Sequence, residues 1–516
     1  MIKATQRGRC LVKTLLAGTV MAVLMAATAF AATTPPIRSG EYKVPARDGY
    51  EFQGWTLDPE GAGDIVIDKD GNWLSDLSDD TEVYAKWKMI RAILLPGTEF
   101  NSKIKKLNNR SVGTIYNWTV DRTVKTFTRS NTLPADIGEM LRMGYAVDIS
   151  AEGSTAPIYA WGSGTTVYWY SDDDVVEMNE DSKCMFQAFN VIENIDLNGI
   201  TAAYAKNMNS MFKDTVALRS LDLTMFNTSS ATNMANMFNG SHVASLDLSH
   251  FNTSNVTDMR EMFSGCIFLT ELNTSGWDTS KVTNMYGMFN NANKLSSIDT
   301  SSWDTSSVDN MAFMFKGCKM LTSVDFSQKN MSNVSNMADM FNGCAALEEA
   351  KLTKCSTIDN VTDITALFAG CRKLQKIDLS MFGEGSRIIK MDRVFSGCSL
   401  LKDVNLTTLN TQEAFTMKSM FMNCNALKDL DLSALKTRNW QYCNDMFNGC
   451  ANLERIYVSE RWYNTSDHST FYAVTSSGMF SGCRKLPNFS SSYTDCSRAN
   501  YKYDGYLTYK AAPTTP

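Results

Sequence analysis

Asn255-Val-Thr-Asp-Met259-Arg-Glu-Met262-Phe263-Ser-Gly265-Cys266-Ile-Phe-Leu269-Thr-Glu-Leu272-Asn273-Thr-Ser-Gly-Trp277-Asp278-Thr279-Ser280 is one copy of a pattern that recurs from about Met185 to Phe480. The Phe of each copy stands at 186, 212, 238, 263, 289, 315, 341, 368, 395, 421, 447 and 480. The steps are 25 to 27 residues until the last, which is 33. Such a period means that each copy is one coil, unable to bury its apolar face alone and stacked on its neighbours.

Met259, Met262 and Phe263 stand at i, i+3 and i+4, which predicts one face of a short helix. Thr257 or Asn255 is the expected N-cap, and Gly265 suits the left-handed residue that ends it. The triad recurs at Met208/Met211/Phe212, Met285/Met288/Phe289, Met311/Met314/Phe315, Met337/Met340/Phe341 and Met417/Met420/Phe421, accounting for much of the count of 30 Met. A Met stripe can line a promiscuous groove, but this one is phased with the repeat Phe and reads as core.

An alternating stretch follows, as in Leu218-Arg-Ser-Leu221-Asp222-Leu223 and Leu427-Lys-Asp-Leu430-Asp431-Leu432. Period two predicts a short strand with one buried face. Stacked in parallel at about 4.8 Å per coil, eleven or twelve coils would make a rod roughly 50–60 Å long. An apolar residue then turns the coil: Phe226, Phe251, Trp277, Trp303, Phe382, Leu409 and Leu435, with Lys329 and Cys355 interrupting the ladder. Spaced leucines at this period are a leucine-rich-repeat signature. The expected fold is therefore an α/β repeat: a leucine-rich-repeat solenoid with a parallel strand stack and short helices, plus a small N-terminal β module.

The outward strand positions are small, polar and acidic, from Ser220/Asp222/Thr224 to Arg455/Tyr457/Ser459. Asp222, Asp247, Asp299, Asp325, Asp378 and Asp431 are the candidate binding residues. Stacked carboxylates about 5 Å apart repel. Either the face is simply solvated, or it attracts a basic protein patch or loosely holds Ca²⁺. No spacing matches a dedicated calcium loop, and no other cofactor is implied.

Of the 13 Cys, Cys10 lies in the leader, and eight share one repeat position: Cys266, Cys318, Cys344, Cys371, Cys398, Cys424, Cys450 and Cys483. Adjacent coils and secretion would permit disulfides. Their fixed phase beside the core Phe predicts instead a ladder of buried free thiols. Cys443 replaces the first Met of its triad, which supports Cys as core. No C-x-x-C pair exists for a zinc site, and the three His, His242, His250 and His468, have no recurring partners.

Lys3, Arg7, Arg9 and Lys13, the apolar run Leu15 to Thr28 and the Ala29-Phe30-Ala31 cleavage site predict a secretory signal over 1–31. The run is too short to span a bilayer, and no transmembrane segment is expected. Removing four positive charges moves the net charge from −6 to about −10, which disfavours nucleic acid and anionic membranes. Residues 32–88 read as a separate small β unit, containing Pro45-Ala-Arg47-Asp-Gly49-Tyr50-Glu-Phe52-Gln-Gly54-Trp55. Residues 89–183 read as a β-rich lead-in and N-terminal cap, with a hairpin over Ile158–Tyr170 and a solvated turn at Ser171–Asp174. The coils occupy 184–489, with an insertion around Trp462–Ser477, and 490–516 forms the second cap and tail.

Val256-Thr-x-Met259-x-x-Met262-Phe263-x-Gly265-Cys266, Leu246-Asp247-Leu248-Ser249-x-Phe251 and Trp303-Asp304-Thr305-Ser306 resemble the BspA-like leucine-rich-repeat surface proteins. The variant is the one shared with mycoplasma lipoprotein-associated repeats. The lead-in Ala92-Ile-Leu-Leu-Pro96-Gly97-Thr-Glu-Phe100 and Pro157-Ile-Tyr-Ala-Trp161 shares the likeness, which covers roughly 90–510. The unit at 40–88 is similar to the internalin-type B repeat, or Listeria–Bacteroides repeat, truncated by the loss of its first strand ahead of Tyr42, and the resemblance implies a small N-terminal β-grasp-like module. The resemblance implies a secreted or surface bacterial protein of host-associated microbes, some of whose relatives bind host matrix proteins or other bacteria. The chain is read as ending without a sorting signal, unlike many surface-attached relatives.

The expected function is non-enzymatic adhesion or interaction with a host or bacterial extracellular protein. The alternative is a structural or self-associating matrix component that depends on divalent cations. An enzyme is disfavoured, since no nucleophile–base pair, metal-ligand cluster or phosphate loop stands out.

Overall fold

The computed structural model describes residues 2–4, 11–12, 50–58, 63–72, 74–75, 81–89, 91–108, 123–352, 358–383, 385–463, 471–502 and 504–513. The cleavage site, Cys10 and Cys355 lie outside them. They fall into two compact units, Met1–Ile93 with Glu152–Pro157, and Leu94–Ala151 with Ile158–Pro516.

The first unit is a sheet of β1 (Ile2–Ala4), β2 (Leu11–Val12), β3 (Tyr50–Thr56), β4 (Ile65–Asp68) and β5 (Thr81–Met89), ordered β2-β1-β5-β3-β4, followed by the short β6 (Ala92–Ile93). β1 and β2 fall within the stretch read as the leader. Alternation along β5 buries Val83 and Ala85, and a register shift between Phe52 and Gly54 brings both Phe52 and Trp55 of β3 into the same core, with Val66 and Ile67 from β4. Phe52 meets Trp55 and Trp87 edge to face at 5.3 and 5.4 Å. Gly54 sits at a bulge with φ +136°, and a Cβ there would lie 2.6 Å from the Ile67 carbonyl oxygen.

The second unit begins with helix α1 (Gly97–Asn108) and a mixed sheet. Its strands are β7 (Thr126–Arg129), β8 (Ala146–Asp148), β9 (Tyr159–Ser163), β10 (Thr166–Tyr170) and β12 (Asn194–Ile195), ordered β12-β7-β10-β9-β8. Helix α2 (Ile137–Arg142) lies between β7 and β8, and β11 (Val176–Glu177) pairs in parallel with β13 (Ile200–Thr201). The expected Gly-turn hairpin is β9–β10, with Gly164 at φ +60°.

The repeats stack in register. Parallel bridges join Asp181, Asn207, Asn233, Asp258, Asn284, Asn310 and Asn336 in sequence, and continue to Thr475. The repeat Phe rings form one column from Phe186 to Phe480. Successive centroids are 5.3 to 6.0 Å apart and the planes lie within 21° of parallel. Perpendicular rings close both ends: Phe100 and Phe127 against Phe186, and Tyr506 against Phe480 at 89°.

The Met-x-x-Met-Phe segment is not the short helix that its spacing predicts. The residue before the second Met or its equivalent is left-handed in repeat after repeat. Ser210, Asn236, Glu261, Gly287, Phe313, Asp339, Ala366, Arg393, Ser419, Asp445 and Gly478 have φ between 52° and 71°. A helix cannot pass through such a residue. The segment is a chain of β-turns, as in Met237 N–H to Met234 C=O and Asn239 N–H to Asn236 C=O. Alternate N–H groups leave the repeat altogether: Met234, Asn236, Phe238 and Gly240 donate to Asp258, Arg260, Met262 and Ser264 at 2.7–3.1 Å. A helix would have spent those donors internally, so the ladder between repeats displaces it. Gly265 is left-handed as expected, at φ 72°.

A buried Thr ladder, missed in the sequence, ties a second corner. Thr228, Thr253, Thr279, Thr305 and Thr411 hydroxyls donate to Asn252, Asp278, Asp304, Asn330 and Lys436 carbonyls of the next repeat at 2.5–3.0 Å. At the interruption of the aromatic ladder, Lys329 Nζ donates to the Ser301 and Trp303 carbonyls, while Phe326 and Met331 fill the core.

The eight ladder Cys are buried, and the described residues carry no disulfide. Each thiol donates to the Phe carbonyl of the preceding repeat, from Cys266 to Phe238 at 3.0 Å through Cys483 to Phe447 at 3.0 Å. Burial pushes the Cys344, Cys398 and Cys450 thiols up to about 12, so almost no thiolate exists at neutral pH. The native protein should therefore resist iodoacetamide at these positions, and denaturant without reductant should release them. Intact-mass measurement checks this, and four or more disulfides would refute the free-thiol ladder.

Candidate binding face

The strand of each repeat is short: β14 (Ser245–Asp247), β15 (Glu271–Asn273), β16 (Ser323–Asp325), β17 (Glu349–Lys351), β18 (Lys376–Asp378), β19 (Asp403–Asn405), β20 (Asp429–Asp431) and β21 (Arg455–Val458). They pair in parallel as β14–β15, β16–β17 and β18–β19, and as β20–β21 extended by β22 (Thr508–Tyr509). The expected continuous stack is thus divided, and Ser220–Asp222 and Ser297–Asp299 form no strand.

All six candidate Asp stand at the end of this segment. Asp222, Asp247, Asp299 and Asp325 are exposed, and Asp378 and Asp431 are half-buried. They do more than face solvent. Each carboxylate accepts the backbone N–H two residues on, from Thr224, Ser249, Ser301, Ser327, Ser380 and Ser433, at 2.8–3.1 Å. This is an Asx turn, and it ends the strand. Asn273 and Asn405 make the same bond to Ser275 and Thr407, so the turn needs the side-chain oxygen and not its charge.

These bonds hold several carboxyls below the ordinary value of 3.8. The Thr224 and Ser301 N–H groups do most for Asp222 and Asp299, and the Ser249 and Ser327 hydroxyls for Asp247 and Asp325. A lowered folded-state pKa gives stability that is full above the unfolded value and lost as pH falls through the folded one. Thermal stability should hold from neutral pH to about pH 5 and decline below about pH 4. Asp→Asn changes at 222, 247 and 299 should shallow that decline in calorimetric scans; an unchanged slope would sink the assignment.

The face divides electrostatically. In the later repeats Lys351 pairs with Asp325 at 3.4 Å, Lys376 with Asp403 at 3.2 Å, Arg455 with Asp429, and Lys510 with Asp431. Burial works against the Asp431 carboxylate, but Lys510 and Ser433 outweigh it. Among the described residues, Asp222, Asp247, Glu271 and Asp299 have no ion pair. Two open grooves lie on this same half. One of about 320 Å3 runs between Asn194–Asn198 and Ser220–Phe226; the other, of about 520 Å3, touches Asp247, Glu271, Asn273 and Asp299.

The first groove brings in residues that sequence reasoning passed over. Asp196 and Leu197 follow Phe186 at the offsets by which Asp222 and Leu223 follow Phe212, so the first repeat owns a strand position too. Met225 at the rim is 80% exposed. Trp462, by contrast, is core: fully buried, its indole N–H bonds the Ala499 carbonyl at 3.0 Å. Of the expected insertion around Trp462–Ser477, residues 464–470 lie outside the described residues. No group of three or more His, Cys, Asp or Glu among the described residues could hold a metal ion.

The family described as "Mycoplasma protein of unknown function, DUF285" matches residues 180–275, 266–382 and 362–493. No curated protein matches the chain. Among solved structures, the chain is similar to one described as a TLR13–ssRNA13 complex, at 16% identity and TM-score 0.24, covering 55% of this chain and 46% of that one. It is also similar to the functional domain of InlJ from Listeria monocytogenes, described as including a cysteine ladder. The identity is 14% and the TM-score 0.19, covering 54% of this chain and 64% of that one. The chain spans less than two thirds of either protein.

Proposed function

The chain belongs to the family described as Mycoplasma protein of unknown function, DUF285, and from that premise we propose that it is a non-enzymatic interaction protein of the BspA-like leucine-rich-repeat type. In this reading it is secreted or displayed at a bacterial surface and adheres to an extracellular protein through a solenoid of stacked repeats. Among the described residues no helix is long and apolar enough to cross a membrane. The observation that carries the proposal is the division of the strand face. In the second to fifth repeats Asp222, Asp247, Glu271 and Asp299 stand without an ion pair among the described residues, beside open grooves, whereas the later Asp325, Asp403, Asp429 and Asp431 are matched by Lys and Arg. Unmatched charge of one sign steers a partner of the other, so the partner presents a basic patch.

Solid-phase binding to a panel of extracellular-matrix proteins tests this. The triple variant Asp222→Asn, Asp247→Asn, Asp299→Asn keeps the turns, since Asn serves at 273 and 405. It should lose binding to a basic panel member. The control Asp325→Asn, Asp403→Asn, Asp431→Asn, in which each carboxylate is ion-paired, should retain it. Raising salt should weaken binding, because exposed charges are screened beyond about 10 Å at 0.1 M. Equal behaviour of the two triples would remove the basis for the assignment.

A further inference from the structure

One column of the array changes character along its length. The residue just before each bridge position donates its N–H to the carbonyl of the same position one repeat earlier, in a line from Lys206 to Gln441 at 2.8–3.1 Å. Through Thr362 the side chains of this column are polar or charged. The Thr232, Thr257, Thr283 and Ser335 hydroxyls reach the preceding carbonyl at 3.2–3.3 Å. Ile389 and Phe415 then follow, 41% and 38% exposed, and Val474 at the same position of the last repeat is 53% exposed. The backbone ladder is the same with Thr, so the fold does not call for apolar side chains here. Single exposed apolar residues are ordinary, but a set of them on adjoining repeats, ringed by polar groups, marks a contact surface. Phe415 meets Tyr442 edge to face at 5.0 Å, and Lys418 lies 4.8 Å over the Tyr442 ring. Arg387 and Arg438 are exposed two and three residues before Ile389 and Gln441, without an ion pair among the described residues. Of the nearby carboxylates, Asp392 is engaged by the Thr416 hydroxyl and the Lys418 N–H, and Glu413 is exposed.

Charge divides the array in the same sense. Residues 181–362 hold 12 Lys and Arg against 18 Asp and Glu, whereas residues 363–516 hold 18 against 14. The apolar column lies in the positive part. The unpaired Asp222, Asp247 and Asp299 lie in the negative part, where Met225 is 80% exposed. We propose that the column centred on Ile389 and Phe415 docks on the acidic strand face of a second copy of this chain, with Arg387, Lys418 and Arg438 set against Asp222, Asp247 and Asp299. This rests on the acidic-face reading above and names a second copy as the basic partner. Two such columns facing each other would oppose like charges, so the contact is head to tail. A head-to-tail contact leaves one surface of each kind free, and further copies add unless the rotation closes a ring.

Sedimentation of the full chain over a range of concentrations, at low and high salt, tests this. At low salt the weight-average mass should rise with concentration, and it should fall back toward the monomer as salt screens the contact. The double variant Ile389→Thr, Phe415→Thr installs the residue that the column already carries at Thr232, Thr257, Thr283 and Thr362, so the ladder keeps its form. It should weaken association about tenfold or more. Arg387→Glu with Arg438→Glu should do the same through exposed side chains alone. The triple Asp222→Asn, Asp247→Asn, Asp299→Asn should also stay monomeric by itself. Mixed with the double Thr variant, it should form a 1:1 complex that grows no further, since each brings the surface that the other lacks. A monomeric wild type, or a mixture that stays apart, overturns the proposal. So does a double Thr variant that associates like the wild type. An Asn triple that still associates by itself overturns it too, because the column would then be meeting something other than the acidic face. Matrix-protein binding by the two Asn triples is read separately, and a difference between them there keeps the acidic face as an interaction surface even when self-association fails.

Discussion

Phe289→Ala is expected to lower the free energy of unfolding by about 3–5 kcal/mol, the cost of a cavity left by a fully buried aromatic. Phe289 lies in the middle of the ring column, 5.4 Å from both Phe263 and Phe315, with the Trp303 ring 6.2 Å away and nearly parallel. Neighbouring repeats are knitted by backbone bonds, so the scaffold on either side cannot collapse into the void. Repeat arrays owe their cooperativity to nearest-neighbour interfaces. Weakening two of them should therefore broaden the thermal transition as well as lower its midpoint. Phe289→Leu should cost less and keep the transition sharp. A sharp, unshifted transition for the Ala variant would mean that the column is not what couples the repeats.

That column, the Cys ladder and the β9–β10 hairpin were legible in the sequence because each rests on phase within the repeat. A Phe at nearly constant spacing must meet its own copies when copies stack, and Cys266 and its equivalents keep a fixed distance from it. The turn segment was not legible as turn. Met259, Met262 and Phe263 are spaced for a helix, but two successive β-turns also bring those side chains to one side. What decides between them is the left-handed residue, and that position holds Ser, Asn, Glu, Gly, Phe, Asp, Ala or Arg without any common signal. Its conformation is imposed by bonds to the next repeat some 26 residues away, which local propensity does not encode. The acidic face was legible as a set of residues but not as a set of turns. The Asp-x-Ser/Thr spacing carried that information, since such side chains bond their own backbone two residues on. The division of the face into matched and unmatched halves was not legible, because it depends on which Lys and Arg reach across repeats.

Asn101→Ala should cost about 2–4 kcal/mol and unravel the array from its N-terminal end. Each repeat donates N–H groups forward to the carbonyls of the next, so the first repeat has carbonyls with no preceding repeat to serve them. Helix α1 supplies the donors. Gly97 N–H bonds the Asp181 carbonyl at 2.8 Å, and Lys105 Nζ bonds Gln187 at 2.7 Å. Between them Asn101 Nδ2 bonds Cys184, Met185 and Gln187 at 2.9, 3.2 and 3.0 Å. Residues 97, 101 and 105 stand one helical turn apart, so one face of the helix imitates the ladder of a missing repeat. Asn101 is 5% exposed, so water does not easily replace it, and its loss leaves several buried acceptors poorly served. Lys105→Met, which keeps the stem near Phe189, should cost less because it leaves the three Asn101 bonds in place. The expected signature is polarity: hydrogen exchange should quicken at Cys184, Phe186 and Met208 while Phe421 and Phe447 keep their protection. Uniform loss along the array would show that the helix stabilises the fold only through its general packing, and retained protection at Cys184 would show that those carbonyls need no cap.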